Sequence, residues 1–299
     1  MNKFFQFLFG LLLAWNELPC QAQKWSLQDS LIFWSDVMLC STEPKFRTYA
    51  AEQFELLMDQ NLSSKFQLIE SIDFKNRIVK ITNPRDGFTI FTWQYETDHG
   101  EWNYSGIARL PQGKVIQLSR ESRNYAKINY ENFDPSVWYG AMYYAAMPSY
   151  EISQSTVLPV MGFAQDHQGS KYRIVEHIVY NTESLSFGAK VFKMQSEGQG
   201  TELKNRLVIE YSKEANCAME YDEQTQTITF DHIAAQDGQY NTSGNLLRIP
   251  DGTYESIQWD GTVWNHTLQL PVQYLKEAPR EKPILDSKNK DLFGRPRKS

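Results

Sequence analysis

Apolar residues recur every three to four positions in two stretches near the start of the chain, 26–40 and 46–60. This spacing places them on one face of a helix. Thr42-Glu43-Pro44 separates the two stretches. The apolar positions are Leu27, Leu31, Trp34 and Met38, followed by Phe46, Ala50, Phe54, Leu57 and Met58. The pattern predicts a helical hairpin within an N-terminal segment, 23–65.

From about residue 66 the period changes to two, and runs rich in β-branched and aromatic residues alternate with turn residues throughout 66–275. Two hairpins are the clearest: 157–163 pairs with 172–180, and 254–259 pairs with 262–267 across an Asp-Gly dipeptide. We therefore predict a mainly β protein. Its strands would form an antiparallel curved sheet, sandwich or open barrel, preceded by the N-terminal helical hairpin.

The segment 134–147 is ambiguous. Asp134 and Pro135 have the residue types of a helix start, whereas Tyr143 and Tyr144 would suit a strand. We predict a short helix here, and a further strand over 185–194.

The N-terminus has the layout of a secretory signal. Met1-Asn2-Lys3 is followed by a mainly apolar run from Phe4 to Trp15, which is shorter than a membrane span. We predict a signal peptide over 1–22, cleaved between Ala22 and Gln23, and no transmembrane span in the mature chain. An uncleaved N-terminal anchor is the alternative. The protein would be exported, to the periplasm or the outer cell surface.

Composition and charge argue against a nucleic-acid binder. Aromatic residues make up 14% of the 299 residues and the formal net charge is −6, whereas nucleic-acid affinity comes largely from Lys and Arg. The last segment, 276–299, differs because it carries a net charge of +4, leaving about −10 on the rest. We expect a solvated, disordered tail. A tether that contacts an acidic surface is the alternative.

Two cysteines remain after cleavage, Cys40 and Cys217. In an oxidising compartment they permit one disulfide. The alternative is two separate buried thiols.

No motif for a cofactor, a metal or a catalytic nucleophile occurs in the chain, and we predict no cofactor. Asp231-His232 is the most distinctive polar pair. His232 has the parity of Ile228 and Phe230, so it should point inward, where a buried imidazole needs hydrogen-bond partners. We expect a hydrogen-bonded core histidine; a general base or a metal ligand is the alternative.

Tryptophans and acidic residues are plentiful in the β region. A row of exposed tryptophans beside paired carboxylates would be typical of a sugar-binding or glycan-cleaving site, although large aromatic residues usually fill a core. The tryptophans in question are Trp93, Trp102, Trp138, Trp259 and Trp264.

The stretch of about 135–260 resembles a family of uncharacterised exported proteins of Bacteroidetes-type bacteria. The resemblance implies a bacterial cell-envelope setting and no established activity. It rests on Trp138-Tyr139-Gly140-Ala141-Met142-Tyr143-Tyr144, Val160-Met161-Gly162-Phe163, Phe187-Gly188-Ala189-Lys190-Val191-Phe192, Arg206 to Ser212, Ala218 to Asp222, Ile228 to Ile233 and Pro250 to Tyr254.

Taken together, these patterns favour a non-catalytic protein that binds or assembles with an envelope protein or a glycan. A carbohydrate-binding module or weak glycan hydrolase is the alternative. A third hypothesis, an accessory factor for one exported partner, predicts an exposed apolar patch or an open sheet edge.

Overall fold

The computed structural model describes residues 25–98, 100–119, 125, 127–196, 200–241, 243–268 and 270. The predicted signal peptide, with its cleavage site between Ala22 and Gln23, lies outside these residues, as does the basic segment 276–299.

Three helices open the described chain: α1 (Leu27–Cys40), α2 (Pro44–Asn61) and α3 (Phe66–Glu70). A capping box starts α1, because the Ser26 hydroxyl accepts the Asp29 N–H at 3.1 Å and the Asp29 carboxylate accepts the Ser26 N–H at 3.2 Å. The helices α1 and α2 follow one another and share one core, which confirms the predicted helical hairpin. The short α3 falls where strands were expected to begin, and the first strand starts only at Val79.

Sixteen strands follow within the described residues. They are β1 (Val79–Thr82), β2 (Thr89–Glu96), β3 (Trp102–Arg109), β4 (Val115–Leu118), β5 (Met142–Ala146), β6 (Tyr150–Ile152), β7 (Ser155–Gln165), β8 (Ser170–Tyr180), β9 (Leu185–Phe187), β10 (Phe192–Ser196), β11 (Gly200–Lys204), β12 (Leu207–Ser212), β13 (Met219–Asp222), β14 (Thr227–Tyr240), β15 (Leu246–Trp259) and β16 (Trp264–Thr267).

The strands form three sheets. The helix-side sheet has the order β1-β2-β3-β4, and the central sheet has the order β12-β8-β7-β5, with β6 on β7 and β9 on β8. The outer sheet has the order β11-β10-β16-β15-β14-β13. Pairing is antiparallel except between β10 and β16. The predicted mainly β, antiparallel class is confirmed, in the form of stacked sheets.

Three hydrophobic cores separate four layers. The first lies between the helices and the helix-side sheet, and contains Leu31, Met38, Phe54 and Met58 together with Phe91, Trp93 and Ile107. The second lies between the helix-side and central sheets, and contains Phe88, Ile90 and Tyr104 together with Tyr143, Ile174 and Tyr180. The third lies between the central and outer sheets, and contains Val175 and Leu207 together with Phe192, Phe230, Ile257 and Trp264.

The layering explains the composition of β2. Phe91, Trp93 and Tyr95 point at the helices, and Ile90 faces the central sheet. Because both faces of the strand are covered, β2 is buried continuously from Thr89 to Trp93 instead of at alternate positions.

The expectation of a helix in 134–147 is wrong. Pro135–Val137 forms one 3-10 turn, and Met142–Ala146 forms β5. The strand pairs with β7, with a register shift between Tyr143 and Ala145. Burial of the aromatic residues between two sheets outweighed the local helix-start signal.

The strand predicted over 185–194 is two strands, because Gly188, at φ +106, breaks it between β9 and β10. None of the helices in the described part of the chain has the length and apolar character needed to cross a membrane.

Candidate functional site

A cleft of about 490 Å³ opens between β12, at the edge of the central sheet, and the outer sheet. Its volume is in the range of ligand sites. Its apolar walls are formed by Met194, Leu207, Val208, Ile209, Phe230, Ile233 and Leu268. Its charged and polar residues are Asn129, Gln195, Lys204, Glu210, Asp231, His232, Arg248, Glu255 and His266. An apolar wall with a few convergent polar groups is the usual composition of a binding site.

Four consecutive residues of β12, Leu207 to Glu210, line the cleft. Neighbouring residues of a strand point to opposite faces, so one face alone cannot supply four in a row. The cleft therefore runs along the edge of the strand. This agrees with the strand order of the central sheet, in which β12 is terminal.

The backbone groups of β12 that face the cleft follow from the register. On the edge of β8 that faces β12, the carbonyl of His177 accepts the N–H of Gly188 at 2.9 Å. On the same edge, the carbonyl of Gly169, which directly precedes β8, accepts the N–H of Lys213 at 2.9 Å. Odd-numbered residues of β8 therefore face β12. Since β12 pairs Leu207 with Val175, its odd residues bond to β8. The N–H and C=O groups of Val208 and Glu210 then point outward, into the cleft.

A chain of alternating carboxylates and imidazoles lies on the outer-sheet side of the cleft. The Nδ1 atom of His232 is 2.8 Å from Asp251 Oδ2, and its Nε2 atom is 3.6 Å from Glu255 Oε1. Glu255 Oε2 in turn is 2.6 Å from Nε2 of His266. We call these four residues the carboxylate–imidazole chain. It is a polar group of fixed geometry beside apolar walls.

A bulge in β15 assembles this chain. β14 pairs Asp231 with Tyr254 and Ile233 with Pro250, so His232 alone lies opposite three residues, Asp251 to Thr253. His232 follows Phe230, the last residue of β14 in the third core, and it lines the cleft. The prediction of burial is wrong, because the side chain is 32% exposed. The His232 ring does have a hydrogen-bond partner, the carboxylate of Asp251.

Asp231, the other member of the predicted polar pair, accepts the backbone N–H of Ala218 at 2.7 Å. It therefore fastens β13 to β14 and contacts neither imidazole through any described hydrogen bond. Sequence reasoning did not connect His232 with Asp251, Glu255 or His266. These residues come together only because β15 pairs with both β14 and β16.

The hydrogen bonds of the carboxylate–imidazole chain determine which of its groups carry a proton. Burial raises the pKa of Asp251, but hydrogen bonds from the Thr253 hydroxyl and backbone and from His232 outweigh it and lower the pKa to about 2. Asp251 is therefore ionised at neutral pH. His266 accepts the Gln195 N–H on Nδ1 at 3.2 Å, so its Nε2–H donates to Glu255.

Both nitrogens of the His266 ring are thus engaged by protein groups, which leaves it no lone pair for a metal ion. Within the described residues, no group of three or more His, Cys, Asp or Glu has an arrangement that would hold one.

The two cysteines are free thiols. Cys40 is exposed at the end of α1, whereas Cys217 is buried just before β13 of the outer sheet, and the possible disulfide between them is not formed. Burial raises the pKa of the Cys217 thiol to about 11, which makes it an inert group in the folded protein.

The tryptophans of the β region do not form an exposed row. Trp93, Trp138 and Trp264 are fully or almost fully buried. Trp102 and Trp259 are partly buried and pack against the second and third cores. Trp259 and Trp264 pair across the β15–β16 hairpin, as their spacing suggested. These residues are structural, and none of the five lines the cleft.

Comparison with known proteins adds no relative: no family model, no curated protein and no solved structure matches this chain.

Proposed function

We propose that the protein is an exported, non-catalytic binding protein of the bacterial cell envelope, and that the cleft beside β12 is its ligand site. The export layout of residues 1–22 and the resemblance over 135–260 support the setting. The observation that carries the site is the cleft itself, because an apolar wall, an open strand edge and a fixed polar chain meet in it.

The geometry favours binding over catalysis. The polar groups of the carboxylate–imidazole chain satisfy one another: Asp251 and Glu255 both accept from histidines, and His266 is also held by Gln195. Among the described residues that line the cleft there is no serine or cysteine, the usual nucleophiles next to a histidine base.

The experiment compares two isoleucine substitutions. Ile233→Arg places a long cation in the wall of the cleft, and Ile152→Arg makes the same change on β6, where Ile152 is 45% exposed and lines no part of the cleft. Each protein would be produced in the native host, cross-linked and purified. We expect one ligand or partner to co-purify with the unaltered protein and with Ile152→Arg, and to be lost with Ile233→Arg.

The chemical class of what co-purifies separates the remaining alternatives. A protein partner supports an assembly role, and a glycan supports the carbohydrate-binding alternative at this same site. Equal recovery with Ile233→Arg would remove the cleft from the proposal. N-terminal sequencing of the recovered protein tests export, and we expect it to begin at Gln23.

A further inference from the structure

We propose that the cleft takes an extended, basic polypeptide segment of a partner protein, which adds to the central sheet as a strand beside β12. This inference rests on the cleft being the binding site proposed above. It goes further by naming the class of ligand and the groups that contact it.

The first argument is the backbone of β12. The N–H and C=O groups of Val208 and Glu210 point into the cleft, and no backbone hydrogen bond of the described residues reaches them across it. Both residues are half-buried, and both line the cleft. Another peptide backbone offers donors and acceptors at the matching spacing, and small ligands rarely do.

The second argument is the shape of the cleft. Its open edge covers four residues, about 13 Å of strand at roughly 3.3 Å per residue. At the C-terminal end of β12 the outer sheet contacts the strand, because the Ser212 hydroxyl accepts the backbone N–H of Arg248 at 2.9 Å. At the near end, Asn205 donates its backbone N–H to the carbonyl of Asn129 at 2.6 Å. The segment is therefore short and enters between two fixed ends.

The third argument concerns the side chains of the added strand. On one face of the new strand, side chains would meet the apolar floor formed by Leu207, Ile209, Met194 and Phe230. Side chains of the other face would point away from that floor. The matching segment therefore alternates apolar residues with polar ones.

The fourth argument is charge. The chain outside 276–299 carries a net charge of about −10. A charge of this size attracts cationic segments over a distance of about a Debye length and repels acidic ones. The cleft itself has the same sign, because Glu210, Asp231 and Glu255 outnumber Lys204 and Arg248 in its lining. We therefore expect the alternate polar residues of the segment to be basic.

The test uses the whole mature chain and a labelled nine-residue peptide in which Val and Lys alternate. Fluorescence anisotropy measures its affinity, and NMR of the ¹⁵N-labelled protein measures hydrogen exchange at the amides of Val208 and Glu210. We expect binding that slows exchange at both amides. A peptide with Glu in place of Lys should bind at least about tenfold more weakly.

Two substitutions at one position isolate the backbone group. Val208→Pro removes an N–H that faces the cleft and no ladder bond to β8, so an edge strand accommodates it; it should weaken binding at least about tenfold. Val208→Thr keeps the N–H, so any loss of affinity that it shows measures the side chain alone, and Val208→Pro should bind at least about fivefold more weakly than Val208→Thr. The Val-Lys peptide with N-methyl groups on alternate amides gives the same test without altering the protein, and one of its two methylation registers should fail to bind.

Equal binding to Val208→Pro and Val208→Thr, or binding without slowed exchange at Val208 and Glu210, would overturn strand addition. Slow exchange at both amides before any peptide is added would also overturn it, because the edge would already be paired by this chain or by a second copy. If no peptide binds while Ile233→Arg still abolishes co-purification of a ligand, this inference fails and the proposed function stands.

Discussion

His177 is a fully buried histidine with both ring nitrogens in hydrogen bonds. The Trp264 indole N–H donates to its Nε2 at 3.0 Å, and Nδ1 lies 3.2 Å from the Tyr150 hydroxyl. Burial lowers the pKa of His177 to about 3, well below its ordinary 6.5. The neutral ring thus fastens β8 to the outer sheet.

The depressed pKa of His177 predicts acid sensitivity. As pH falls below 6.5 the unfolded chain takes up a proton at this residue, and the folded chain does not until about pH 3. Stability is therefore lost across that window, by up to about 1.4 kcal/mol per pH unit.

Urea unfolding at pH 7, 5.5 and 4.5 measures this loss of stability. We expect a shallower pH dependence for His177→Gln and an unchanged one for His167→Gln, whose side chain is 54% exposed. Equal slopes in all three proteins would contradict the assignment.

The two thiols should differ in reactivity. In a protein that begins at Gln23, iodoacetamide at pH 8 should label exposed Cys40 quickly, and buried Cys217 at least about a hundredfold more slowly. Intact mass spectrometry would show one added group in the native protein and two in urea. Cys40→Ser serves as the control and should take up almost no label before unfolding. Two unreactive cysteines in urea without reductant would instead reveal a disulfide.

Glu176 and Arg206 form an ion pair that is completely shielded from solvent. Arg206 Nε donates to Glu176 Oε2 at 2.7 Å, and the same carboxylate oxygen accepts the Tyr139 hydroxyl at 2.9 Å. The guanidinium also donates to the carbonyls of Ile128 and Phe187. The pair joins β8 to the residue that precedes β12. Its neighbour Gly188 has no room for a Cβ, which would lie 2.7 Å from Arg206 Nη2.

Breaking this pair from one side should be costly. Arg206→Met leaves a buried, unpaired carboxylate, and we expect a loss of about 3–5 kcal/mol in the free energy of unfolding. Adding Glu176→Met removes that charge, so the double variant should lose less than the sum of the two single losses. Arg248→Met, at a half-exposed arginine, should cost less than about 1 kcal/mol. Strictly additive losses in urea unfolding would argue against a coupled pair.

At the scale of elements, α2 is held to the helix-side sheet by aromatic contacts. The Phe54 ring meets Trp93 and Phe74 edge-on, at centroid distances of 5.1 and 5.8 Å. Phe54→Ala should cost about 3–5 kcal/mol, because it leaves a cavity in the first core. Phe46→Ala, on the exposed face of the same helix, should change stability by about 0.5 kcal/mol or less. Urea unfolding of both variants is the measurement. Equal effects would mean that α2 is not docked as described.

Elements with a strong local signal could be predicted from the sequence. The stripes of α1 and α2 and the β7–β8 hairpin, from Thr156↔Tyr180 to Gln165↔Lys171, lie close to where periodicity and turn residues put them. The prediction of a helix in 134–147 failed because the conformation of this segment depends on the sheets that bury Tyr143. The candidate site could not be predicted for the same reason, because it depends on contacts between distant parts of the chain. His232 could be singled out, but its partners Asp251, Glu255 and His266 meet it only through the bulge and the pairing of three strands.

At the scale of the whole molecule, each sheet depends on its neighbours. The helix-side sheet shares one core with the helices and another with the central sheet, and the central sheet shares its two faces with the other sheets. Loss of any one layer would therefore expose a core on each layer next to it. This arrangement favours global unfolding as one cooperative unit. Smaller, local openings should begin at exposed strand ends and should reach the central sheet only in the global transition.

Hydrogen exchange followed by mass spectrometry tests this order. We expect the slowest exchange in 157–164 and 172–180, because β7 and β8 are hydrogen-bonded on both sides and covered on both faces. The fastest exchange among the strands should be in 235–240 and 246–250, the mostly exposed end of the β14–β15 hairpin. In Phe54→Ala, all of β2, β7 and β8 should lose protection together. If β2 exchanges early while β7 and β8 stay protected, the helical layer with its sheet unfolds independently of the other two sheets.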